Sequence, residues 1–379
     1  MSLAEVIRTH RVVVTVGSGG VGKTTTAAAL AMRAAMEGRK VLCLTIDPAR
    51  RLANSLGLEA MTRSQQEVPS TLFERHGLEL RGQLYAMMLD TKSTFDDLVK
   101  KYASSDEVRN RILNNEIYQY VAKSLAGTQE YMAMEKLFEV RRDEHWDLIV
   151  LDTPPTANAL DFLDAPERLI DAIDSPAMRW FMQVFEGAGK AGFGLVGKGA
   201  TVLLKGLARF TGVEFLQQVS EFVGGINDLF GGFKARAEEV SNALRSDDVG
   251  FVLVTSPDPL AVQEAEFFAK KLDESGMVRR GIVINRMHPL LAECSVAVEE
   301  QERLLKELVP NKPNITSLRE RLQTALDAER DLAGSDRVEA ERLKTHLAKG
   351  GLVIEVPAFD TDVHDLRTLA EVANYLTTG

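Results

Sequence analysis

Gly17-Ser18-Gly19-Gly20-Val21-Gly22-Lys23-Thr24-Thr25 is the stretch on which the reading of this chain turns. Before it runs Arg11-Val12-Val13-Val14-Thr15-Val16, apolar and β-branched, which reads as a buried parallel strand. After it, Thr26 to Met36 is Ala-rich and reads as a helix. A glycine-rich turn between a strand and a helix is the frame of a phosphate-binding loop. The glycines let backbone N–H groups turn inward on phosphate oxygens, and the helix N-terminus adds a favourable dipole. In that frame Lys23 reaches the β- and γ-phosphates, and the Thr24 hydroxyl completes a Mg²⁺ shell. Gly17, Ser18, Gly19, Gly20, Val21, Gly22, Lys23, Thr24 and Thr25 are the expected nucleotide contacts.

Outward from the loop, short apolar runs recur like the strands of a parallel sheet. They are Val12–Val16, Val41–Ile46, Leu84–Leu89, Asp147–Leu151, Gly250–Thr255, Gly281–Asn285 and Leu352–Val356. Helical patterns lie between them, so the expected class is α/β, doubly wound. Two intervals exceed an ordinary crossover: Asp90 to Trp146, and Thr153 to Val249. Helical patterning fills Thr91–Arg142, Asp164–Val184 and Val213–Leu244, with a glycine-crowded apolar stretch from Gly187 to Gly212. Both intervals read as helical insertions beside the sheet, and the glycines suggest loose packing there. The division expected is a core of residues 1–90, 143–165 and 246–379, with a helical subdomain of 91–142 and 166–245. Within the core, 311–349 is a charged helical segment with Leu318, Leu322 and Leu326 at four-residue spacing, a solvated amphipathic helix or a coiled-coil contact.

Composition narrows the partners. The chain has 379 residues, 45% hydrophobic and 26% charged, an ordinary globular balance. Lys and Arg total 45 against 55 acids, a net charge of −10, which argues against nucleic acid as a partner. The two cysteines, Cys43 and Cys294, rule out a disulfide framework or a four-cysteine zinc site within one chain. Met1 to His10 carries no secretory or transit pattern, and no uncharged apolar run is long enough for a membrane span. The expected location is the cytoplasm.

Two more strand ends carry chemistry. Val41–Ile46 runs into Asp47-Pro48-Ala49-Arg50-Arg51, where a carboxylate can orient water toward a γ-phosphate. Asp147–Leu151 runs into Asp152-Thr153-Pro154-Pro155-Thr156, an acid after a hydrophobic strand, the Walker B arrangement. Thr24, Asp47 and Asp152 are the expected Mg²⁺ neighbourhood. Asn285 offers an amide at another strand end, suited to an adenine edge or to a plain Asn turn. The last strand ends in Val356-Pro357-Ala358-Phe359-Asp360, so Pro357 and Phe359 can flank the same base.

Taken in order, these motifs resemble the ArsA/guided-entry ATPases, in the deviant Walker A class with MinD, ParA and nitrogenase iron protein. The family's loop GKGGVGKTT falls on Gly17–Thr25 and its switches DPAHS and DTAPTGHT on Asp47–Arg51 and Asp152–Ala159. Its strand LYAMEIDP falls on Leu84–Asp90, and its adenine-binding Asn on Asn285. The resemblance implies a SIMIBI-type P-loop fold using ATP and Mg²⁺. It also implies a homodimer or a heterodimer with a related ATPase subunit, and helical subdomains that bind a hydrophobic helix or membrane-protein client.

Three departures temper it. Ser18 replaces the lysine that in the family reaches the partner's nucleotide, a cation of the arginine-finger type worth about 10³–10⁵ in rate. Arg50 or Arg51 is the expected substitute; the alternative is a slow or non-hydrolysing switch subunit of a heterodimer. Arsenite pumping needs three thiolates, and two cysteines in one chain argue against it. The zinc-binding CxxC pair of eukaryotic members is also missing. Finally, Met132, Met134, Met178 and Met182, with Trp180, Phe181, Phe185, Phe193 and Phe230, line either a client groove or an ordinary helical core. A carboxylate-phosphorylating ligase and a MinD-like positioning ATPase are weaker readings, for want of a polar substrate pocket and a C-terminal basic membrane helix.

Overall fold

The computed structural model describes residues 2–46, 51–124, 128–153, 159–176, 178–180, 213–292, 296–311, 314–347 and 352–378. The chain opens with α1 (Leu3–Thr9), β1 (Val12–Val16), α2 (Lys23–Met36), β2 (Lys40–Thr45) and α3 (Arg51–Ser55). Then come β3 (Gln66–Glu67), α4 (Ser70–Arg75) and β4 (Gln83–Met88). Four helices follow: α5 (Thr91–Tyr102), α6 (Asp106–Leu113), α7 (Glu116–Ser124) and α8 (Thr128–Arg141). After β5 (Leu148–Asp152) come α9 (Ala159–Asp174), α10 (Val213–Leu244), β6 (Val249–Thr255) and α11 (Pro259–Glu274). The chain closes with β7 (Arg279–Met287), α12 (Val298–Leu308), α13 (Ile315–Leu347), β8 (Leu352–Pro357) and α14 (Leu366–Thr378).

The eight strands form one sheet in the order β3-β4-β2-β5-β1-β6-β7-β8. Every pairing is parallel except the short antiparallel β3 against β4. The expected α/β, doubly wound, mostly parallel sheet is thus present, and all seven expected strands form within two residues of their expected ends. The alternation of side chains sorts β1 onto two faces. Val13 joins a core with Cys43, Val150 and Val252 under α1, α2 and α14. Val12 and Val14 join a second core with Leu42, Leu44, Ile149 and Leu151, covered by α8, α11 and the ends of α10 and α13. The buried alanines of α2, from Ala27 to Ala35, let that helix lie close on the sheet.

Helices from both long intervals share a third apolar cluster: Phe95, Leu98 and Val99 of α5, Val108 and Ile112 of α6, Tyr118 of α7, Tyr131 and Met132 of α8, Ala165 of α9 and Ala237 of α10. Met132 is buried here and Met134 in the core against the sheet, so these two methionines pack in cores and do not line an open groove. Trp180 is half exposed; Met182, Phe181, Phe185, Phe193 and the Gly187–Gly212 stretch lie outside the described residues. The helix expected over Asp164–Val184 begins five residues earlier, at Ala159, and its element ends at Asp174 with Pro166 in its interior. Across its glycines α10 runs unbroken, and a Cβ on Gly232 would stand 2.9 Å from the ring of Tyr102. There, at least, glycine serves close packing of α10 on α5.

Candidate functional site

β1 lies at the middle of the sheet, with β2 reached on one side of it and β6 on the other. In open parallel sheets such a reversal leaves a crevice at the C-terminal strand ends. The Gly17–Thr25 turn occupies that position. Gly17 has φ of 149°, and a Cβ there would fall 2.0 Å from the Val254 carbonyl oxygen, so the loop presses on β6. Gly22, at φ 101°, is the N-cap of α2 and offers no side-chain cap, leaving the first-turn N–H groups to a ligand. A Cβ on Gly22 would meet Asn285 Nδ2 at 2.2 Å.

Lys23 is buried, and its Nζ donates to the Ser18 carbonyl at 2.7 Å. Thr24 Oγ1 donates to Asp152 Oδ2 at 2.8 Å, and Thr45 Oγ1 donates to the same oxygen at 3.0 Å. Asp152 is fully buried at the end of β5, and Thr153 Oγ1 ties that end to the Thr15 carbonyl at 2.8 Å. A hydroxyl against a carboxylate is a hard-oxygen pair, the donor chemistry Mg²⁺ takes alongside phosphate and water. Gly22 meanwhile leaves the first-turn N–H groups of α2 without a side-chain cap, and Gly17 lets the loop close on β6. The residues present therefore fit Mg²⁺ and a polyphosphate. Among the described residues no group of three or more His, Cys, Asp or Glu could hold a metal ion.

Before the loop opens a cleft of about 770 Å³. Gly20, Gly22, Lys23, Thr24 and Thr25 border it, with Arg51 and Asn54 of the α3 region and Thr153. Asn285, Arg286 and His288 form another wall, and Pro357, Phe359, Asp362 and His364 line a further side. Gly17 and Val21 lie behind the loop, and Ser18 contributes its carbonyl to Lys23. Asn285 Nδ2 donates to the Val21 carbonyl at 2.9 Å, so part of its amide supports the loop. Arg51 is exposed at the cleft. Asp47 and Arg50 lie outside the described residues. Cys43 is buried in β2, where burial and the nearby Asp152 carboxylate push its thiol up and make it inert; Cys294 lies outside the described residues.

His288 and Arg286 escaped the sequence reading. Nothing local marks them, because their position depends on an irregular end of β7 that no hydrophobic period announces.

The model of the ArsA ATPase family, described as anion-transporting ATPase, matches residues 10–309. The chain belongs to the ArsA ATPase family. Its similarity to other ArsA-family proteins is spread over most of its length. It is 26% identical over 307 residues to the protein named ATPase GET3 of Malassezia globosa, covering 77% of this chain and 79% of that one. It is 26% identical over 292 residues to the ATPase ASNA1 homolog of Plasmodium berghei, covering 77% and 66%. The ATPase GET3 of Phaeosphaeria nodorum gives 25% over 307 residues, covering 77% and 82%. The family match stops before α13, so the cleft residues Pro357 and Phe359 lie beyond it. Among the described residues no helix is long and apolar enough to cross a membrane.

Proposed function

We propose that this ArsA-family chain binds Mg-ATP in the cleft before Gly17–Thr25 and hydrolyses it, coupling nucleotide state to movement of its helical body and binding of a hydrophobic client. The observation that carries the reading is the Thr24–Asp152 hydrogen bond beside the Gly22-capped start of α2. Lys23, whose Nζ is held by the Ser18 carbonyl, exchanges that oxygen for phosphate oxygens on binding. Thr24 and Asp152 would hold Mg²⁺, and the ion would supply neutralisation of the charge that builds on the phosphates during transfer. Asp47 orients the attacking water, Asn285 and the Pro357–Phe359 wall receive the base, and Arg50 or Arg51 supplies the cation that Ser18 cannot.

In this reading the helical body of residues 91–142 and 166–245 is the client-binding part; the apolar cluster shared by its described helices from α5 to α10 supports it as one body. Relatives named ATPase GET3 and ASNA1 homolog support ATP hydrolysis and favour this reading over a ligase. The protein works in the cytoplasm as a homodimer or beside a related subunit. One observation favours a second reading, a slow nucleotide switch: the family's trans lysine is a serine here.

Calorimetric titration with ATP and Mg²⁺ tests binding. Lys23→Ala is expected to weaken it at least tenfold, and removing Mg²⁺ to weaken it further. Binding indifferent to Lys23 would sink the proposal. Single-turnover hydrolysis then separates the ATPase from the switch.

A further inference from the structure

Asn285 and His288 both border the cleft, although they stand three residues apart. In a regular strand an odd separation sends two side chains to opposite faces. Here Arg286 adopts φ of 63°, the sole non-glycine residue with positive φ among the described residues. At the same place the pairing of β7 with β8 shifts between Ile284 and Met287. An irregularity of this kind re-aims the side chains that follow it, and strained backbone of this kind gathers at working sites. Met287 stays buried, paired with Pro357, and its carbonyl accepts from the Ala358 N–H at 2.9 Å. His288 is thereby set down beside the Pro357–Phe359 wall of the cleft.

The ring is then held from afar. Asp336, buried on α13, takes the His288 backbone N–H at 2.7 Å and faces ring Nδ1 at 2.8 Å, both at Oδ2. A carboxylate oxygen only accepts, so Nδ1 carries the proton, and in a neutral imidazole that leaves Nε2 as the acceptor. Among the described residues Nε2 has no hydrogen-bond partner, and 33% of the side chain is open.

We infer that His288 selects the base of the bound nucleotide and that Asp336 is its positioning residue. Nε2 accepts a hydrogen from the exocyclic amine of adenine and repels the carbonyl oxygen that guanine carries at the same edge. Asn285, with an amide hydrogen on Val21, shares its attention between base and loop; His288 supplies the acceptor that discriminates. The inference rests on the nucleotide reading above and adds to it the residue that tells adenine from guanine.

Equilibrium titration of the full chain with fluorescent ATP and GTP analogues in Mg²⁺ tests it. The wild type is expected to prefer ATP at least tenfold. His288→Ala should lower the ATP/GTP ratio about tenfold, the worth of one hydrogen bond of about 1.4 kcal/mol. His288→Gln, which keeps an acceptor, should retain part of the preference. Asp336→Ala should match His288→Ala, the double variant should lose no more, and Asp336→Asn, whose amide oxygen still accepts, should keep most of the ratio. The inference is overturned if the wild type shows no preference, or if His288→Ala binds ATP with an unchanged ratio. It is equally overturned if Asp336→Ala weakens both nucleotides alike, which is the mark of a structural role only. A wild type that binds neither nucleotide removes the functional reading itself, and the inference falls with it.

Discussion

A single carbon decides how the loop and the Asn285 side of the cleft fit together. Gly22 needs its glycine twice: for φ of 101°, and for the 2.2 Å between a would-be Cβ and Asn285 Nδ2. The first requirement alone costs a non-glycine residue about 1–3 kcal/mol. The second depends on the neighbour and can be relieved. Gly22→Ala should therefore destabilise the fold in urea, and Asn285→Ala should cost about 1 kcal/mol for the lost bond to Val21. In the double variant the collision is gone, so its loss should be smaller than the sum of the two. Strictly additive losses would show that Asn285 is not what the new methyl group meets. The loop itself was legible in the sequence, because phosphate binding demands glycines at set spacings from Lys23. The partnership of His288 with Asp336 was not, since 48 residues separate them and a bulge brings the ring to the cleft.

Between elements, α8 and α10 are stapled by a buried ion pair. Arg236 Nε of α10 donates to Glu135 Oε1 of α8 at 2.6 Å, both side chains 3% exposed, with the guanidinium 4.4 Å from the Phe138 ring centre. Burial raises the Glu135 carboxyl above its ordinary range, and the Arg236 hydrogen bond and charge pull it back. Arg236→Met removes that restraint, so the carboxyl rises further. A group raised in the folded state contributes stability below its unfolded value and loses it as pH climbs through the folded one. The cost of Arg236→Met should therefore be smaller near pH 4 than near pH 7, where breaking a buried pair costs about 3–5 kcal/mol. Pairing it with Glu135→Leu should recover most of the loss, since an apolar pair needs no solvation. Chemical denaturation at the two pH values checks both; a cost that shrinks with rising pH contradicts the argument. Such pairs are hard to read from sequence, because a charge in a helix usually faces solvent. The central strands were easier: buried on both faces, β1, β2, β5 and β6 appear as continuous apolar runs. The two-residue β3 and the seven-residue α1 carry too few residues for any period.

For the whole molecule, the open question is where the cation for hydrolysis arises. Lys23 sits buried in its own loop, bonded to the Ser18 carbonyl, and Ser18 has no charge to extend to a neighbour. Arg51 stands exposed at the rim of its own cleft, in α3. From there it serves either its own nucleotide or one presented by a second subunit, and concentration separates the two. A cation acting within the chain gives a hydrolysis rate per protein molecule independent of dilution. A cation given in trans makes that rate fall as the protein is diluted through its association constant. The proposal of a dimer with nucleotides near the interface predicts the second behaviour, with Arg51→Ala or Arg50→Ala lowering turnover by about 10³-fold. The subunits are then complementary: Arg51→Ala mixed with Lys23→Ala should regain activity, because one donates a sound cation to the other's sound phosphate loop. Single-turnover rates across a dilution series, followed by the mixing experiment, decide it. A dilution-independent rate that Arg51→Ala still abolishes places the cation in its own chain and removes the need for a partner at the chemical step. A rate near background at every concentration, unmoved by either arginine, leaves the nucleotide switch as the function.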